Sequence, residues 1–400
     1  MKKITGFEIK AEERQRWGSI AMVWIGSVIC VPALMIGGML GSGLSLGNLL
    51  LAILLGYALI CVFMIFMGML GCDTGLPTAL MASSALGEKG AKYIISAILA
   101  ISCIGWFGIQ AAVCGASFSS MLGDMTGVMI PLWLSSVLWG IIMLLTACFR
   151  FSGLKWLNKI AVPLLAIVLA YTLIDTLING GMSALIDYTP SSPISFVSAL
   201  SATVGSFVVA AAISGDYCRF AKSRADVVKS SIAGVLPAGL AILLIGAILA
   251  ICTGTYDISA VLSSSGLPLV GLIALILATW TTNVSNAYSG GLSLSVLLGQ
   301  DEKKSQMTTA IAGIIGTMIA DYWILGKGSA ENFRMREGFY APGLISFLAG
   351  AFIACVTGGT FASIPFLSFL NFPFFIGPVN GIVVAMLVYL ILAKAGKKEG

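Results

Sequence analysis

Long apolar runs recur along this 400-residue chain and constrain its fold more than any other feature. The run LLLAILLGYALICVFMIFMGML, residues 49–70, holds no charge and is apolar on every face. About 20 such residues cross a bilayer as a helix, and in lipid the backbone must satisfy its own hydrogen bonds. A membrane barrel would instead alternate polar and apolar residues. We therefore expect an all-α integral membrane protein, in keeping with 58% hydrophobic residues, 10% charged residues and a mean hydropathy of +1.02.

Eleven segments are predicted to cross the membrane. These spans are 18–40, 47–70, 93–121, 128–149, 160–179, 194–215, 231–253, 267–299, 308–325, 341–357 and 375–393. They form one transmembrane domain over 18–393, between tails at 1–17 and 394–400. The first tail is charged and lacks the apolar core of a signal peptide. We expect it to be retained, with both termini in the cytoplasm and the protein in the cytoplasmic (inner) membrane.

The distribution of Lys and Arg tests this count. Through span 8 the basic residues lie in the inner segments and the outer loops hold none, as the positive-inside rule requires. A single crossing over 308–325 would then place Lys327, Arg334 and Arg336 outside. We predict that about one span is absent between residues 313 and 321, through a real deletion or a segment left out of the numbering. The alternative is a re-entrant hairpin, for which the length barely suffices.

Several other classes of protein are excluded by composition. The nine cysteines form no CxxC pair and the chain has no histidine, so we expect small packing residues and no metal cluster or disulfide framework. The net charge of +5 follows from the inner loops. Expected partners are the lipid bilayer and a small molecule, with no nucleic acid and no obligate protein partner evident.

Span 1 carries an interruption in WIGSVICVPALMIGG, where Gly26 and Pro32 break the apolar run. Proline removes a backbone donor and frees a carbonyl about one turn earlier, near Val28 and Ile29. Freed carbonyls suit a hard cation. A merely kinked helix is the alternative interpretation.

Span 6 has a similar cluster of small and polar residues at Gly205 and Ser206, followed by Phe207. Interruptions five spans apart favour two inverted five-helix repeats that meet at a binding site. Repeat one would cover about 18–179 and repeat two, which is incomplete, about 194–325. The last two spans, 341–393, would follow.

Span 3 contains Trp106 and Gln110, four residues apart and therefore on one helix face. An indole face stacks on a planar ligand, and an amide offers both a donor and an acceptor. This pair predicts a site for a heterocyclic ring, with packing or an interfacial tryptophan as the alternative.

Span 8 contains TWTTNVSNAYSGG, which is about half polar yet uncharged. On a helical wheel its polar side chains form adjoining stripes. The stripes are Thr282, Ser285 and Ser289; Thr279, Asn283 and Asn286; and Thr281 and Tyr288. Helix association explains one or two such residues, whereas this many predict a site.

Charged residues are missing from the centres of the spans. No Glu, Lys or Arg lies within a span, and Asp175 and Asp321 lie near span ends. A carboxylate relay for proton coupling is therefore not visible. Neutral hydroxyls and freed carbonyls instead predict an oxygen cage suited to sodium.

Four motifs resemble the nucleobase:cation symporter family, most closely its cytosine permease branch. They are TWTTN in span 8, GWFG in span 3, VGSF followed by GDYCRFAKS in span 6, and MIADYW late in the chain. The resemblance implies the LeuT-type inverted-repeat fold with twelve spans. It also implies sodium ligands and a ring sandwiched by two aromatic side chains.

The resemblance assigns these residues by position. The implied sodium ligands are the carbonyls of Gly26, Ile29 and Ala278 and the hydroxyls of Thr281 and Thr282. The implied substrate contacts are Trp106, Phe207, Gly205, Ser206, Gln110 and Asn283, with Asn286 as a weaker candidate. Cytosine permeases have other residues at Ala278, Cys103 and Cys30, and Gln110 resembles the hydantoin-transporting branch.

Together these features predict a sodium-coupled importer of a nucleobase, cytosine or a related pyrimidine or purine heterocycle, and not an enzyme. The alternative is a proton-coupled or passive permease for another planar heterocycle, such as a hydantoin or hydroxymethylpyrimidine. A channel would need polar stripes along several spans, whereas polarity here is concentrated in a few. A chain inactivated by its missing span is a further possibility.

Overall fold

The computed structural model describes residues 9–147, 150–186, 188–190, 193–255, 268–298, 318, 320–325, 327–333, 335–357, 365–372 and 374–395. Within these ranges it is helical, with one isolated backbone bridge between Gln15 and Ala221 and no strand. The α-helices are α1 (Trp17–Val28), α2 (Val31–Gly43), α3 (Leu46–Thr74), α4 (Thr78–Met81), α5 (Ser83–Lys89), α6 (Ser96–Thr126), α7 (Leu132–Ala147), α8 (Arg150–Thr176), α9 (Met182–Ile186), α10 (Phe196–Ala212), α11 (Ser214–Cys218), α12 (Arg224–Thr253), α13 (Pro268–Leu298), α14 (Ala341–Thr357) and α15 (Gly377–Ala395). The π-helices are Gly90–Ile95, Leu177–Gly181 and Ala320–Leu325, and the 3₁₀ helices are Ala11–Glu13, Ala330–Asn332 and Pro365–Leu370.

The helices match ten of the eleven predicted spans. Among the described residues, six helices are long and apolar enough to cross a membrane, and the bent pair α1–α2 makes a seventh crossing. The shorter apolar helices α7, α10 and α14 lie in three further predicted spans. The predicted span 308–325, with the crossing inferred to be absent between 313 and 321, falls outside the described residues except at 318 and 320–325.

The first crossing is broken where the sequence predicts. Helices α1 and α2 meet at a bend of 60°, and Ile29 and Cys30 between them are extended. Pro32 occupies the first turn of α2, a position that tolerates proline because its backbone donor would be unpaired there in any case. The break therefore follows from local sequence.

The second break is displaced from its predicted position. Helix α10 runs without interruption through Gly205 and Ser206, and it ends at Ala212, before the non-helical Ile213. A lone glycine inside a helix costs only about 1 kcal/mol, and the Ser206 hydroxyl donates to Thr203 O within the helix. Small and polar residues at that point therefore do not open the backbone.

Close backbone contact fixes α2 against α12. A β-carbon at Gly246 would lie well inside 3.0 Å of the backbone of Leu34, and one at Gly37 would collide in the same way with Leu243. Glycines that permit such approach are characteristic of helix pairs in membranes, where apolar area alone does not drive association.

Residues beyond 318 contact the first half of the molecule through a salt-bridged carboxylate and through backbone hydrogen bonds. Asp73 at the end of α3 pairs with Arg224 at 2.6 Å, and the Tyr322 hydroxyl donates to the same carboxylate at 2.5 Å. Nearby, the amide of Glu88 donates to the carbonyl of Arg336. Residues 321–325 and 335–338 thus lie beside the ends of α3 and α5.

We expect Gly246→Ala to destabilise the protein, because overpacking a tight contact costs about 1–3 kcal/mol. The midpoint of thermal unfolding, followed by size-exclusion chromatography in detergent, should fall by a few degrees. Gly47→Ala is the matched control, since nothing lies within 4 Å of a β-carbon there. Equal midpoints for the two variants would contradict the assigned contact.

Candidate functional site

A cavity of about 680 Å³, open in part to solvent, lies at the break between α1 and α2. Most of its wall is apolar, as is usual for small-molecule sites. Seven helices contribute to it: α1 and α2 on either side of the break, and α3, α6, α10, α11 and α13. Its lining residues are Trp24, Ser27, Val28, Cys30, Pro32, Ala33, Ile36, Tyr57, Trp106, Gln110, Ser206, Phe207, Val209, Ala210, Ile213, Tyr217, Thr282, Ser285 and Asn286.

Two of the predicted aromatic residues line this cavity from different helices. Trp106 extends from α6 and Phe207 from α10. Tyr57 of α3 also lines the cavity and packs against Phe207, with ring centroids 6.4 Å apart. The cavity is thus bordered by flat apolar surfaces on more than one side, which suits a planar ring.

Gln110 lies one turn beyond Trp106 and lines the same cavity, as its spacing predicts. Its side chain is fully buried, and neither its amide oxygen nor its amide nitrogen has a hydrogen-bond partner among the described residues. An unpaired buried donor or acceptor costs about 1–3 kcal/mol. Such a group marks a place where a ligand or water supplies the missing bonds.

The small residues of α10 divide between two environments. Ser206 lines the cavity, and because its proton goes to Thr203 O at 2.7 Å, its oxygen is left as an acceptor. Gly205 does not line the cavity; it is exposed, with nothing within 4 Å of where a β-carbon would lie.

The two asparagines of α13 lie in different environments. Asn283 does not line the cavity: its amide donates to Phe107 O at 3.1 Å and to Met143 Sδ at 3.2 Å, which ties α13 to α6 and α7. Asn286, the weaker candidate by sequence, does line it. Its amide nitrogen lies 3.5 Å from the Asn283 oxygen.

Predicted cation ligands meet where α1 and α13 cross. The Thr282 hydroxyl lies 3.4 Å from Gly26 O, 3.3 Å from Ser27 O and 3.1 Å from Ala278 O. Thr281 Oγ1 lies 3.2 Å from the same Ala278 carbonyl. A hydroxyl has one proton to donate, so Thr282 cannot bond fully to all three carbonyls at once. A set of neutral oxygens of this kind could hold a cation.

Ile29, the fifth predicted ligand, is one of the two extended residues at the break. Sequence reasoning missed Ser27, whose carbonyl joins the cluster and whose hydroxyl lies 2.8 Å from that of Ser285. We call Gly26, Ser27, Ala278, Thr281 and Thr282 the oxygen cluster. Thr282 belongs both to this cluster and to the cavity wall.

Sequence reasoning also missed the floor of the cavity. Tyr217 of α11 packs edge-on against Trp24, and its hydroxyl donates to Ser285 O at 2.9 Å and accepts from Ser289 at 3.0 Å. It thereby joins the second break to α1 and α13. The motif GDYCRFAKS contains this residue, but only its position after the break reveals its role.

A buried carboxylate lies beside that floor, although the sequence predicts none within a span. Asp216 is 1% exposed and accepts a hydrogen bond from Thr78 N at 2.7 Å. Its other oxygen has no hydrogen-bond partner among the described residues. Arg219, also buried, donates to Tyr288 of α13 at 2.9 Å. Both charged residues lie just after residue 215, where the sequence predicts the end of span 6. Their burial was therefore not predicted.

Two departures from the cytosine permease pattern fall in different places. Cys30 lines the cavity at the break, whereas Cys103 is fully buried and outside it. Ala278, the third departure, contributes its backbone carbonyl to the oxygen cluster, so its side chain is not what matters there.

Comparison with known proteins places this arrangement in a family. A family model described as permease for cytosine/purines, uracil, thiamine, allantoin matches residues 9–303. The cytosine permease of Escherichia coli (strain K12) is 33% identical over 304 residues, which cover 76% of this chain and 70% of that protein. The hydantoin permease of Microbacterium maritypicum is 22% identical over 424 residues, covering 93% and 84%.

Solved structures show the same fold. Mhp1, a nucleobase-cation-symport-1 family transporter in a closed conformation with bromovinylhydantoin bound, has a TM-score of 0.80 at 18% identity, over 98% of this chain and 95% of that one. A Na⁺-coupled sialic acid symporter has a TM-score of 0.63 at 12% identity, over 96% and 90%. The LeuT-type fold predicted from sequence is thus confirmed.

These matches are to permeases and transporters, and none of them is to an enzyme. The helical crossings, the cavity at the break of the first crossing and the family match agree with one another. The chain is a multi-pass membrane protein that belongs to the family of permeases for cytosine and purines, uracil, thiamine and allantoin.

Proposed function

We propose that this protein is a sodium-coupled importer of a small planar nucleobase or related heterocycle, working by alternating access. The observation that carries the proposal is the unpaired, fully buried amide of Gln110 in a cavity bordered by Trp106 and Phe207. The family match supports a nucleobase-type substrate.

The cavity recognises its substrate by stacking and by one hydrogen-bonded edge. The ring lies between Trp106 and Phe207, where polarisable faces on both sides favour a flat π-system. Gln110 then offers one donor and one acceptor in a plane. Adjacent N–H and C=O groups of a pyrimidine, purine or hydantoin ring complement that pair. Ser206 and Asn286 provide further polar contacts at the rim of the cavity.

The oxygen cluster holds the coupling cation. Ligands that bind a hard cation at about 2.3–2.6 Å lie about 3.3–3.7 Å apart when they are at right angles. The Thr282 hydroxyl oxygen lies 3.1–3.4 Å from each of three carbonyl oxygens, close to that spacing. All the ligands are neutral, which suits a singly charged ion better than a divalent one, and sodium is our assignment. A Na⁺-coupled symporter of the same fold supports it.

Coupling follows from the position of Thr282. This residue contacts the carbonyls of α1 and also lines the substrate cavity. An ion that draws Gly26 O and Thr282 Oγ1 together fixes α1 against α13 and so orders the wall against which the substrate packs. Sodium then favours the conformation that binds substrate, and by linkage the substrate raises sodium affinity by the same factor.

The orientation proposed from the basic residues agrees with the contacts of the amino-terminal segment. Arg14 donates to Cys72 O at 3.2 Å and to Ala221 O, at the ends of α3 and beyond α11. Arg14 thus lies at the same end of the molecule as the end of α3 and the residues after α11, and we assign this end to the cytoplasm. The repeats at 18–179 and 194–325, followed by 341–393, remain our proposed division of the domain.

A proton-coupled permease is the second candidate, and Asp216 is the observation that favours it. This buried carboxylate has one oxygen without a hydrogen-bond partner among the described residues and lies beside the floor of the cavity. Uptake into proteoliposomes that follows a pH gradient, is insensitive to sodium and is lost in Asp216→Asn would favour this candidate over sodium coupling.

We expect one heterocycle to quench the protein's tryptophan fluorescence, because Trp106 lines the cavity. Purified protein should be titrated with cytosine, uracil, adenine, hypoxanthine and a hydantoin, each in sodium and in choline. Tighter binding of one ligand in sodium identifies both the substrate and the ion. Absence of quenching by every ligand would contradict the assignment of the cavity.

Gln110→Leu should weaken binding of that heterocycle by about 10-fold or more, since hydrogen bonds to a buried site contribute about 1–3 kcal/mol. Ser102→Ala is the matched control: it removes another buried, unpaired oxygen from α6, two turns away and outside the cavity. The same quenching titration measures both. Equal affinities for Gln110→Leu and the wild type would refute the role of the amide.

Thr281→Ala combined with Thr282→Ala should abolish the tightening of substrate binding by sodium while leaving weak binding in choline. Thr279→Ala is the control on the same helix, because its hydroxyl donates to Leu275 O and Ile276 O within α13 and lies outside the oxygen cluster. If sodium still tightens substrate binding in the double variant, the assignment of sodium to the oxygen cluster is wrong.

A further inference from the structure

Asn158 of α8 carries a buried amide that has no role in the proposed binding of substrate or sodium. Its side chain is 0% exposed, and neither Oδ1 nor Nδ2 has a hydrogen-bond partner among the described residues. Leaving both ends of a buried amide unpaired is costly. The position therefore calls for a ligand or a water molecule.

Asn158 lies beside one residue of the oxygen cluster. A β-carbon at Gly26 would lie 2.6 Å from Asn158 Cγ and closer still to Oδ1. The amide thus lies directly against the backbone of Gly26, whose carbonyl belongs to the oxygen cluster. The absence of a side chain at Gly26 is what makes room for it.

Asn158 lies on a helix that borders the oxygen cluster. It is the ninth residue of α8 (Arg150–Thr176). Helix α8 also packs against both helices that build the cluster, α1 and α13. A side chain on this face of α8 therefore borders the junction at which the cation would bind.

We propose that Asn158 is a further ligand of the coupling cation, with Oδ1 binding it from the α8 side. This inference rests on the proposed sodium coupling. An amide oxygen is a neutral, hard ligand of the kind that carbonyls and hydroxyls already supply in the cluster. The assignment extends the ion site from two helices to three. It also explains why this amide is left without a protein partner in a buried position.

Binding of ²²Na⁺ alone, measured by scintillation proximity on the purified full chain, tests the proposal without substrate. Asn158→Leu, which keeps the volume and removes the oxygen, should weaken sodium binding by about 10-fold or more. Asn158→Asp restores an oxygen and adds charge, so at pH 8 it should bind sodium at least as tightly as the wild type. Ser231→Ala, which removes another buried unpaired oxygen on α12, should change nothing.

Each outcome decides the assignment. Sodium affinity in Asn158→Leu equal to that of the wild type would overturn it and leave a water molecule as the occupant. Failure of Asn158→Asp to bind sodium would overturn it as well, and this variant decides if the leucine variant does not fold. Loss of binding in Thr281→Ala with Thr282→Ala but not in Asn158→Leu keeps sodium coupling and removes only Asn158. A wild type that binds no ²²Na⁺ overturns both proposals.

Discussion

The break in the first membrane crossing is the feature on which the site depends. A continuous helix in lipid satisfies its own carbonyls and has none to offer. By becoming extended at Ile29 and Cys30, the chain ends one set of internal hydrogen bonds and starts another with Pro32 in the first turn. The carbonyls around the break then need partners, and α13 supplies hydroxyls in reach of them.

Polarity elsewhere in the protein is arranged around that break. The hydroxyls of Ser27 and Ser285 bind each other across α1 and α13, and Tyr217 extends the same network to α11. These bonds hold α1 and α11, which lie at the two breaks, against the continuous helix α13. Near this network lie the unpaired amides of Gln110 and Asn158, one facing the cavity and the other the backbone of Gly26.

The sequence was sufficient to predict the features that depend on residues close together in the chain. Helix positions follow from apolar length, the first break from Pro32, and the shared face of Trp106 and Gln110 from helical spacing. It could not show that Asn286 lines the cavity and Asn283 does not, because both lie on one polar stripe and only the packing of α6 and α7 separates them. The second break was misplaced because small residues permit a bend without causing one. Asp216 and Asn158 were missed because burial depends on neighbouring helices that are distant in sequence.

The contacts of Asp73 affect how motion can pass from one part of the protein to another. Arg224 from the second half and Tyr322 from beyond residue 318 share this one carboxylate, and Trp323 donates a further hydrogen bond to Phe66 O at 3.2 Å. The carboxyl-terminal part is therefore connected to α3 and α12 through side chains as well as through the covalent chain. Through these contacts, a displacement of α3 can move residues 320–325 directly. The length of the chain between 299 and 317 therefore does not determine how strongly the two parts of the protein are coupled.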